Sequence, residues 1–258
     1  MSFEGAERKM GGGPLSGGKT PDPPALPSPA RLDLAFHVAG ALAIAGKDLR
    51  IEVRTREIVT TAGFFAALVA VMTSVAFYSG MTTTVRLAPG AIWLSVAFAS
   101  ILALGRTWQR EREESALVGL LVSPVARASI FVGKAIGVFA FVTVVELIVV
   151  PVVALLFHVD LLEVAGPLVV VLVMGTIGVA ATGTLFGAMT VRTRARDLVL
   201  ATVVFPLLSP TLVSGVAATR EIFAGAPFEE VRDYLLLLGT FDLVAVLGGI
   251  ALFGALVD

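Results

Sequence analysis

A glycine-rich stretch near the start of the chain has the letters of a phosphate-binding loop. Residues 13–20 read Gly-Pro-Leu-Ser-Gly-Gly-Lys-Thr, and in nucleotide-binding proteins the backbone amides and lysine of such a loop hold phosphate groups. That arrangement requires a strand before the loop and a helix after it. Residues 1–10 have no strand pattern, and Pro-Asp-Pro-Pro at 21–24 removes backbone donors where the helix would begin. We therefore expect no ATP hydrolysis by this chain, and we interpret residues 1–32 as a disordered Gly- and Pro-rich tail.

Two acidic residues, Glu146 and Asp242, lie inside long apolar segments. An acid in the middle of a membrane costs roughly 2.5–3.5 kcal/mol on insertion scales, so it usually faces a partner or a wet cavity. The residues alone do not separate a substrate path or coupling site from a simple hydrogen bond between helices. Pro206 and Pro210 remove two backbone donors from another apolar segment, which predicts either a gating hinge or a kink.

The scarcity of cysteine and histidine limits the cofactors and metals that this chain can bind. The chain has no cysteine, which excludes thiolate metal sites and iron–sulfur clusters, and its only two histidines are His37 and His158. His158 is a candidate ligand for haem iron, but a histidine that ends a helix at the membrane interface is the favoured interpretation. We expect this chain to bind no cofactor and no metal.

The elements that position these residues are long apolar segments. Hydrophobic residues make up 57% of the 258, charged residues 15%, and the mean hydropathy is +0.93, whereas a soluble domain carries about a quarter charged residues. The apolar runs approach or exceed the ~20 residues that cross the hydrocarbon core. The pattern predicts an all-α integral membrane protein in which residues 33–258 form a six-span domain. We expect the spans at about 58–79, 87–105, 130–157, 164–191, 198–218 and 234–257.

Residues 33–56 predict an amphipathic helix at the membrane interface. Leu42, Ala45, Leu49 and Val53 recur at spacings of three and four, which places them on one face. Another face carries three basic residues: Lys47, Arg50 and Arg54. A basic, half-apolar helix before a hydrophobic span suits the membrane surface. A cytosolic extension of the first span has the same pattern, and this alternative stays open.

The distribution of Lys and Arg predicts the orientation of the spans. Many basic residues flank the first span, the loop between spans two and three, and the loop between spans four and five. They are Lys47, Arg50, Arg54, Arg56, Arg106, Arg110, Arg112, Arg127, Lys134, Arg192, Arg194 and Arg196. The opposite side has only Arg86, Arg220 and Arg232. By the positive-inside rule both termini are expected in the cytoplasm.

The loop between spans two and three combines charge with a leucine-rich face. Gln109 and Glu113 lie four residues apart, as do Arg110 and Glu114, so a helix would bring each pair together. An apolar face follows, formed by Leu117, Leu120 and Leu121, and Pro124 ends the element. A solvated loop would leave the leucines in water. A short docking helix for a cytosolic partner accounts for both faces.

This loop resembles that of type-2 ABC export permeases, which use it to couple to their ATPase subunit. The resemblance rests on an acidic pair, a short leucine-rich helix, a Ser-Pro turn, a basic residue and a Gly-Lys. These are Glu113-Glu114, Leu117 to Leu121, Ser123-Pro124, Arg127 and Gly133-Lys134. The resemblance implies that Glu113, Glu114, Leu117, Leu120, Leu121 and Pro124 take part in coupling. It also implies that a separate cytosolic subunit uses the ATP.

Two proline motifs narrow the resemblance. Ala-Pro-Gly-Ala-Ile-Trp at 88–93 and Phe-Pro-Leu-Leu-Ser-Pro at 205–210 are similar to the haem exporter protein B family, the permease of bacterial cytochrome c maturation. The resemblance covers about residues 40–258. It implies haem export or delivery for c-type cytochromes from a bacterial inner membrane. The implied partners are the ATPase, other cytochrome c maturation membrane subunits and a second permease copy, with no nucleic acid.

Other functions remain open at this point. A type-2 permease that exports lipid, polysaccharide or drug would have the same spans and coupling loop. A membrane scaffold that docks subunits without transport belongs to a different class, and equal ATPase rates with and without substrate would favour it. An integral-membrane enzyme has no His, Cys or Ser–Lys constellation to support it. Candidate residues of a substrate path are Glu146, Pro206, Pro210 and Asp242.

Overall fold

A computed structural model describes residues 34–77, 81–113, 116–123, 125–190 and 200–257. Within these ranges the chain is helical and contains no β-strand. The helices are α1 (Leu34–Thr55), α2 (Glu57–Ala76), α3 (Met81–Glu113), α4 (Ala116–Val122), α5 (Arg127–Phe157), α6 (Leu161–Thr190), a π-helical turn (Leu200–Val204), α7 (Phe205–Phe223) and α8 (Phe228–Val257). The tail expected at 1–32 lies outside the described residues.

Six of these helices are long and apolar enough to cross a membrane. They are α2, α3, α5, α6, α7 and α8. In α3 the membrane-compatible part is Val85–Glu113, and in α7 it also includes part of the π-helical turn, over Thr202–Phe223. The prediction of an all-α protein with six spans is confirmed. Helix α5 occupies the middle of the bundle, since it packs on α1, α2, α3, α6 and α8.

Helix α3 continues well past the predicted end of the second span at 105. It runs to Glu113, and Trp108 in this extension is buried against Gly187 of α6. Charged residues end the apolar stretch but not the helix, because they satisfy helix geometry as well as apolar residues do. The predicted pair forms here, with Gln109 Nε2 donating to Glu113 Oε1 at 2.8 Å.

Helix α1 buries two acids against the bundle and leaves part of its predicted apolar face exposed. Leu42 and Val53 are exposed, at 57% and 73%, while Asp48 and Glu52 are buried. The small residues of α1 lie against α5, where a Cβ on Gly133 would meet the Ala41 carbonyl oxygen at 2.6 Å. Close backbone approach therefore selects the buried face of α1, which includes Ile44, while Leu42 and Val53 are left on the outside.

The junction between α1 and α2 is a sharp break. Arg56 has a left-handed backbone, φ 55°, and separates the two helices. Glu52 Oε1 accepts a hydrogen bond from the backbone N–H of Val59 at 2.8 Å. A carboxylate on the free N–H groups at a helix start is favourable, both as a hydrogen-bond acceptor and against the helix dipole. Glu52 thus fixes the start of the first span.

Glycines of α6 receive large side chains from α3. A Cβ added at Gly175, Gly183 or Gly187 would overlap Trp93, Leu104 or Trp108 respectively. Trp93 also lies against Gly215 of α7 and donates from Nε1 to Thr219 Oγ1 at 2.9 Å. Small residues permit close helix packing in a membrane, so α3, α6 and α7 meet through the Trp93 indole.

Candidate functional site

Helix α4 is the short helix predicted in the loop between the second and third spans. Leu117 is 6% exposed and belongs to the core of the bundle, and Leu120 and Leu121 pack partly against that core. Leu117 is therefore turned towards the permease itself, and its side chain is not open to a partner in this conformation. The helical spacing of leucines indicates an apolar face but does not say which surface covers it.

The outward face of α4 consists of other residues. Gly119 and Val122 are exposed, Val122 at 83%. Glu113, at the end of α3, is also exposed. Of the remaining predicted coupling residues, Glu114 and Pro124 lie outside the described residues. Val122 is a large apolar side chain left in the open on the side assigned to the cytoplasm.

The end of α4 is held by its own loop. Ser123 donates to the Leu120 carbonyl from Oγ at 2.6 Å, and Arg127 Nη1 donates to the Leu121 carbonyl at 2.8 Å. A cation at a helix C-terminus satisfies carbonyls that have no partner within the helix. Arg127 was predicted as part of the coupling loop, and this contact shows how it positions α4.

Buried charges join α1, α3 and α5 beside this loop. Lys134 Nζ lies 2.7 Å from Asp48 Oδ2 and makes a short contact with Glu111 Oε1, and its side chain has no solvent exposure. Lys47 Nζ lies 3.1 Å from Asp48 Oδ1 and 3.3 Å from Glu111 Oε1. We call these four residues, Lys47, Asp48, Glu111 and Lys134, the Lys134 cluster. Two ammonium groups and two carboxylates balance, so the cluster satisfies the condition under which buried charges are tolerated.

The environment of Lys47 keeps it charged. Burial lowers the pKa of its ammonium group, but attraction to Asp48 and Glu111 and hydrogen bonds to both raise it further, so the net pKa lies above the usual value. The ammonium is therefore present throughout the physiological pH range.

A second set of ion pairs connects α1 and α2 to the C-terminal end of α3. Arg110 lies 3.7 Å from Glu52 and 3.3 Å from Glu57, and Arg106 lies 3.3 Å from Glu57. Arg110 was predicted to pair with Glu114 within one helix. Glu114 lies outside the described residues, and in the structure Arg110 reaches two acids of other helices. The pairs with Glu57 involve more exposed groups than the contacts of Lys134, so each of those pairs contributes less.

Sequence reasoning missed both ionic sets. Lys134 was counted only towards orientation and family resemblance, and Asp48 was not considered. One signal was available: Asp48 and Glu52 lie four residues apart in an otherwise basic helix, one turn beyond Ala41 and Ala45. Acids that continue a small-residue face indicate a partner cation. The distance of 86 residues between Asp48 and Lys134 hides which cation it is.

Glu146 and Asp242 occupy separate places on two sides of α6. Glu146 is 5% exposed and accepts a hydrogen bond from Thr176 Oγ1 at 2.6 Å. Asp242 is 7% exposed, and a Cβ on Gly178 would meet its Oδ1 at 2.5 Å and Thr211 Oγ1 at 3.1 Å. Glu146 also lines a cavity of about 210 Å³ between α5 and α6. The two acids therefore do not form one site, and their role in a substrate path stays a prediction.

The two prolines of the fifth span lie at the start of α7 and inside it. Pro206 lies in the first turn of α7, directly after the π-helical turn, and Pro210 lies within α7. Pro210 cannot donate to the Pro206 carbonyl, and Ser209 Oγ donates to that carbonyl at 2.6 Å instead. π-Helical turns often occur at functional sites, so the choice between hinge and kink stays open.

His158 is the C-cap of α5. Its backbone is left-handed, φ 57°, its N–H donates to the Ala154 carbonyl, and its side chain is exposed. Among the described residues no group of three or more His, Cys, Asp or Glu side chains is arranged to hold a metal ion. His158 therefore ends α5 through its backbone, and the choice between an interface histidine and a haem ligand stays a prediction.

Residues 39–256 match a family described as CcmB protein. Heme exporter protein B of Bradyrhizobium diazoefficiens is 27% identical over 191 residues, which cover 72% of this chain and 86% of that protein. Heme exporter protein B of Rhodobacter capsulatus is 28% identical over 197 residues, with 72% and 85% coverage. The protein of the same name from Paracoccus denitrificans is 31% identical over 148 residues, with 56% and 66% coverage. The family match includes α4, the Lys134 cluster and nearly all of the six candidate spans, and the chain belongs to the CcmB protein family.

Proposed function

We propose that this chain is the membrane permease subunit of an ABC transporter complex that acts in haem export or delivery for c-type cytochrome biogenesis. The observation that carries the proposal is the family match over residues 39–256, which takes in nearly all of the described helices. Relatives that align over most of their length are named heme exporter protein B. A six-span membrane protein is the fold that such a subunit requires.

The proposal assigns ATP hydrolysis to a separate cytosolic subunit that docks on α4. The support for this surface is the exposure of Val122 and of Glu113, with Leu117 packed into the permease core and Arg127 holding the C-terminal end of α4. A short helix with an apolar anchor and a charged rim fits helix-in-groove recognition. Glu113, Glu114, Leu120, Leu121 and Pro124 contribute to this surface or its shape, and Leu117 positions it.

The remaining partners follow from the same family. We place the chain in a bacterial cytoplasmic membrane, together with other membrane subunits of cytochrome c maturation and a second permease copy. The chain itself binds no cofactor in this proposal.

The direct test is to isolate the wild-type complex and to delete the gene. The tagged permease, purified in mild detergent, is expected to bring down an ABC ATPase and cytochrome c maturation subunits. Deletion is expected to abolish haem-stained c-type cytochromes while total haem persists. Normal c-type cytochromes in the deletion strain, together with ATPase binding by the purified wild-type permease, would remove the haem assignment. The chain would then be an export permease for another cargo.

We expect α4 to lie in the cytoplasm and the turn between α7 and α8 on the outside, because basic residues are concentrated around α4. The chain has no cysteine, so single cysteines report position without background. Gly119→Cys and Ala224→Cys place a thiol on exposed positions of the two sides. An impermeant thiol reagent added to intact spheroplasts should label Ala224→Cys and should label Gly119→Cys only after lysis. Labelling of Gly119→Cys in intact spheroplasts would show that α4 lies outside and that the proposed topology is inverted.

A further inference from the structure

We infer that the Lys134 cluster fastens α1 to the end of α3 and the start of α5, the two helices that α4 connects. We call the chain between Glu111 and Lys134 the α4 loop, and we infer that α1 moves with α4. The role in transmission rests on the proposed function, because it requires that α4 receives force from an ATPase. The attachment itself does not depend on that function.

The cluster joins α1 to α5 by contacts that lipid cannot replace. The buried apolar residues of α1 are Ala41, Ile44 and Ala45, and Ala41 and Ile44 lie directly over Gly133. Between helices in a bilayer there is no hydrophobic driving force, because acyl chains are as apolar as the side chains. An acyl chain cannot satisfy a carboxylate or an ammonium group. Separation of α1 from α3 and α5 would break the Asp48–Lys134 and Lys47–Glu111 contacts, so that each charge of the cluster would lose one of its two partners, which is unfavourable for buried groups.

The cluster also closes the base of the α4 loop. Glu111 lies in the last turn of α3 and Lys134 in the second turn of α5, so the chain between them contains α4. Their contact holds the two ends of this segment together, and Asp48 and Lys47 add α1 to the same point. A displacement of α4 that moves the ends of α3 and α5 must therefore move α1 as well. Because Glu52 of α1 caps α2, the displacement also reaches the start of the first span.

Two charge-balanced variants separate the attachment from general stability. Lys47→Leu with Asp48→Leu removes the charges of α1 and leaves the Glu111–Lys134 pair intact. Glu111→Leu with Lys134→Met removes the other half and leaves the Lys47–Asp48 pair intact. Neither variant leaves an unpaired buried charge, and replacement of buried ion pairs by apolar residues is often tolerated. Both are therefore expected to fold with α1 released.

A disulfide reports whether α1 stays in place. A Cβ on Gly40 would lie 3.7 Å from the Ser129 Cβ, which is within the range for a disulfide, and the chain has no other cysteine. A control pair, Gly254→Cys with Arg127→Cys, has the corresponding atoms 3.6 Å apart and joins α8 to α5. On mild oxidation of the purified protein, the Gly40–Ser129 cross-link should form about tenfold more slowly in both charge variants than in the unmodified cluster. The control cross-link should form at an unchanged rate.

In cells, both charge variants should retain the co-purifying ATPase but lose most c-type cytochrome. Equal rates of the Gly40–Ser129 cross-link with and without the cluster would overturn the attachment. Slowing of the control cross-link in both variants would also overturn it, by showing that the cluster supports the whole bundle. If the control cross-link is slowed in only one charge variant, that variant is set aside and the Gly40–Ser129 rate of the other charge variant tests the attachment. Slower cross-linking with normal c-type cytochrome would overturn the role in transmission. A failure of the haem assignment is recognised separately, by deletion of the wild-type gene.

Discussion

Replacement of Val122 by aspartate is expected to release the ATPase subunit from the permease while all six spans stay inserted. Val122 is 83% exposed on α4, so a charge there costs the permease little. At a docking surface it would place an unpaired carboxylate in an apolar groove. Loss of a central anchor typically costs about 2 kcal/mol, or ~30-fold in affinity. The measurement is co-purification of the ATPase with wild-type and variant permease, beside a haem stain for c-type cytochromes.

The neighbouring positions provide matched controls for Val122→Asp. Val122→Ile keeps an apolar anchor and should retain the ATPase. Leu117→Asp buries a charge in the permease core and should lower the thermal stability of the permease itself, which Val122→Asp should not do. Undiminished ATPase binding by Val122→Asp would show that the docking surface lies away from this end of α4.

Trp93→Ala is expected to have the largest effect on stability of any single substitution in the bundle core. The indole is 1% exposed, fills the space over Gly175 and Gly215, and donates to Thr219 at 2.9 Å. Its removal leaves a cavity that two glycines cannot fill and a hydroxyl without its donor. Truncation of a buried aromatic residue typically costs about 3–5 kcal/mol. Thermal unfolding of the purified permease in one detergent measures the loss.

Leu94→Ala is the control for Trp93→Ala, because Leu94 is the next residue of α3 and is 41% exposed. Its effect on stability should be much smaller, since it makes fewer contacts inside the bundle. Trp93→Phe should lie between the two, because it retains a ring but loses the donor to Thr219. Similar stability of Trp93→Ala and Leu94→Ala would contradict the central place that we assign to the indole.

The spans were predictable from sequence because lipid imposes a simple rule on long segments. A run of about 20 apolar residues has few alternatives to a membrane helix, and the six helices follow the six runs. The ends were less predictable. Glu113 ends α3 eight residues after the apolar run stops at 105, since the limit of the membrane and the limit of a helix have different causes.

The candidate site was predictable only in part, because its contacts are distant in sequence. The presence of a short helix at Ala116–Val122 follows from local pattern. The inward position of Leu117 does not, since a leucine face has the same spacing whether its own bundle or a partner covers it. The pairing of Asp48 with Lys134 depends on how α1 crosses α5, which is a property of the packed bundle. Glu146 and Asp242 were correctly predicted to lie within spans. Their neighbours, Thr176 beside Glu146 and Gly178 beside Asp242, were not predicted.

The interlocked side chains of α3 limit how this permease can change shape. Trp93, Leu104 and Trp108 occupy notches along α6 from its middle to its C-terminal end. Sliding of one helix along the other would lift all three side chains from their notches at once. The pair therefore behaves as a single lever, and an alternating cycle would need its pivot elsewhere. Because Gly215 and Thr219 of α7 hold the same indole, α7 belongs to the same lever, which makes α3, α6 and α7 one frame against which the other spans would have to move.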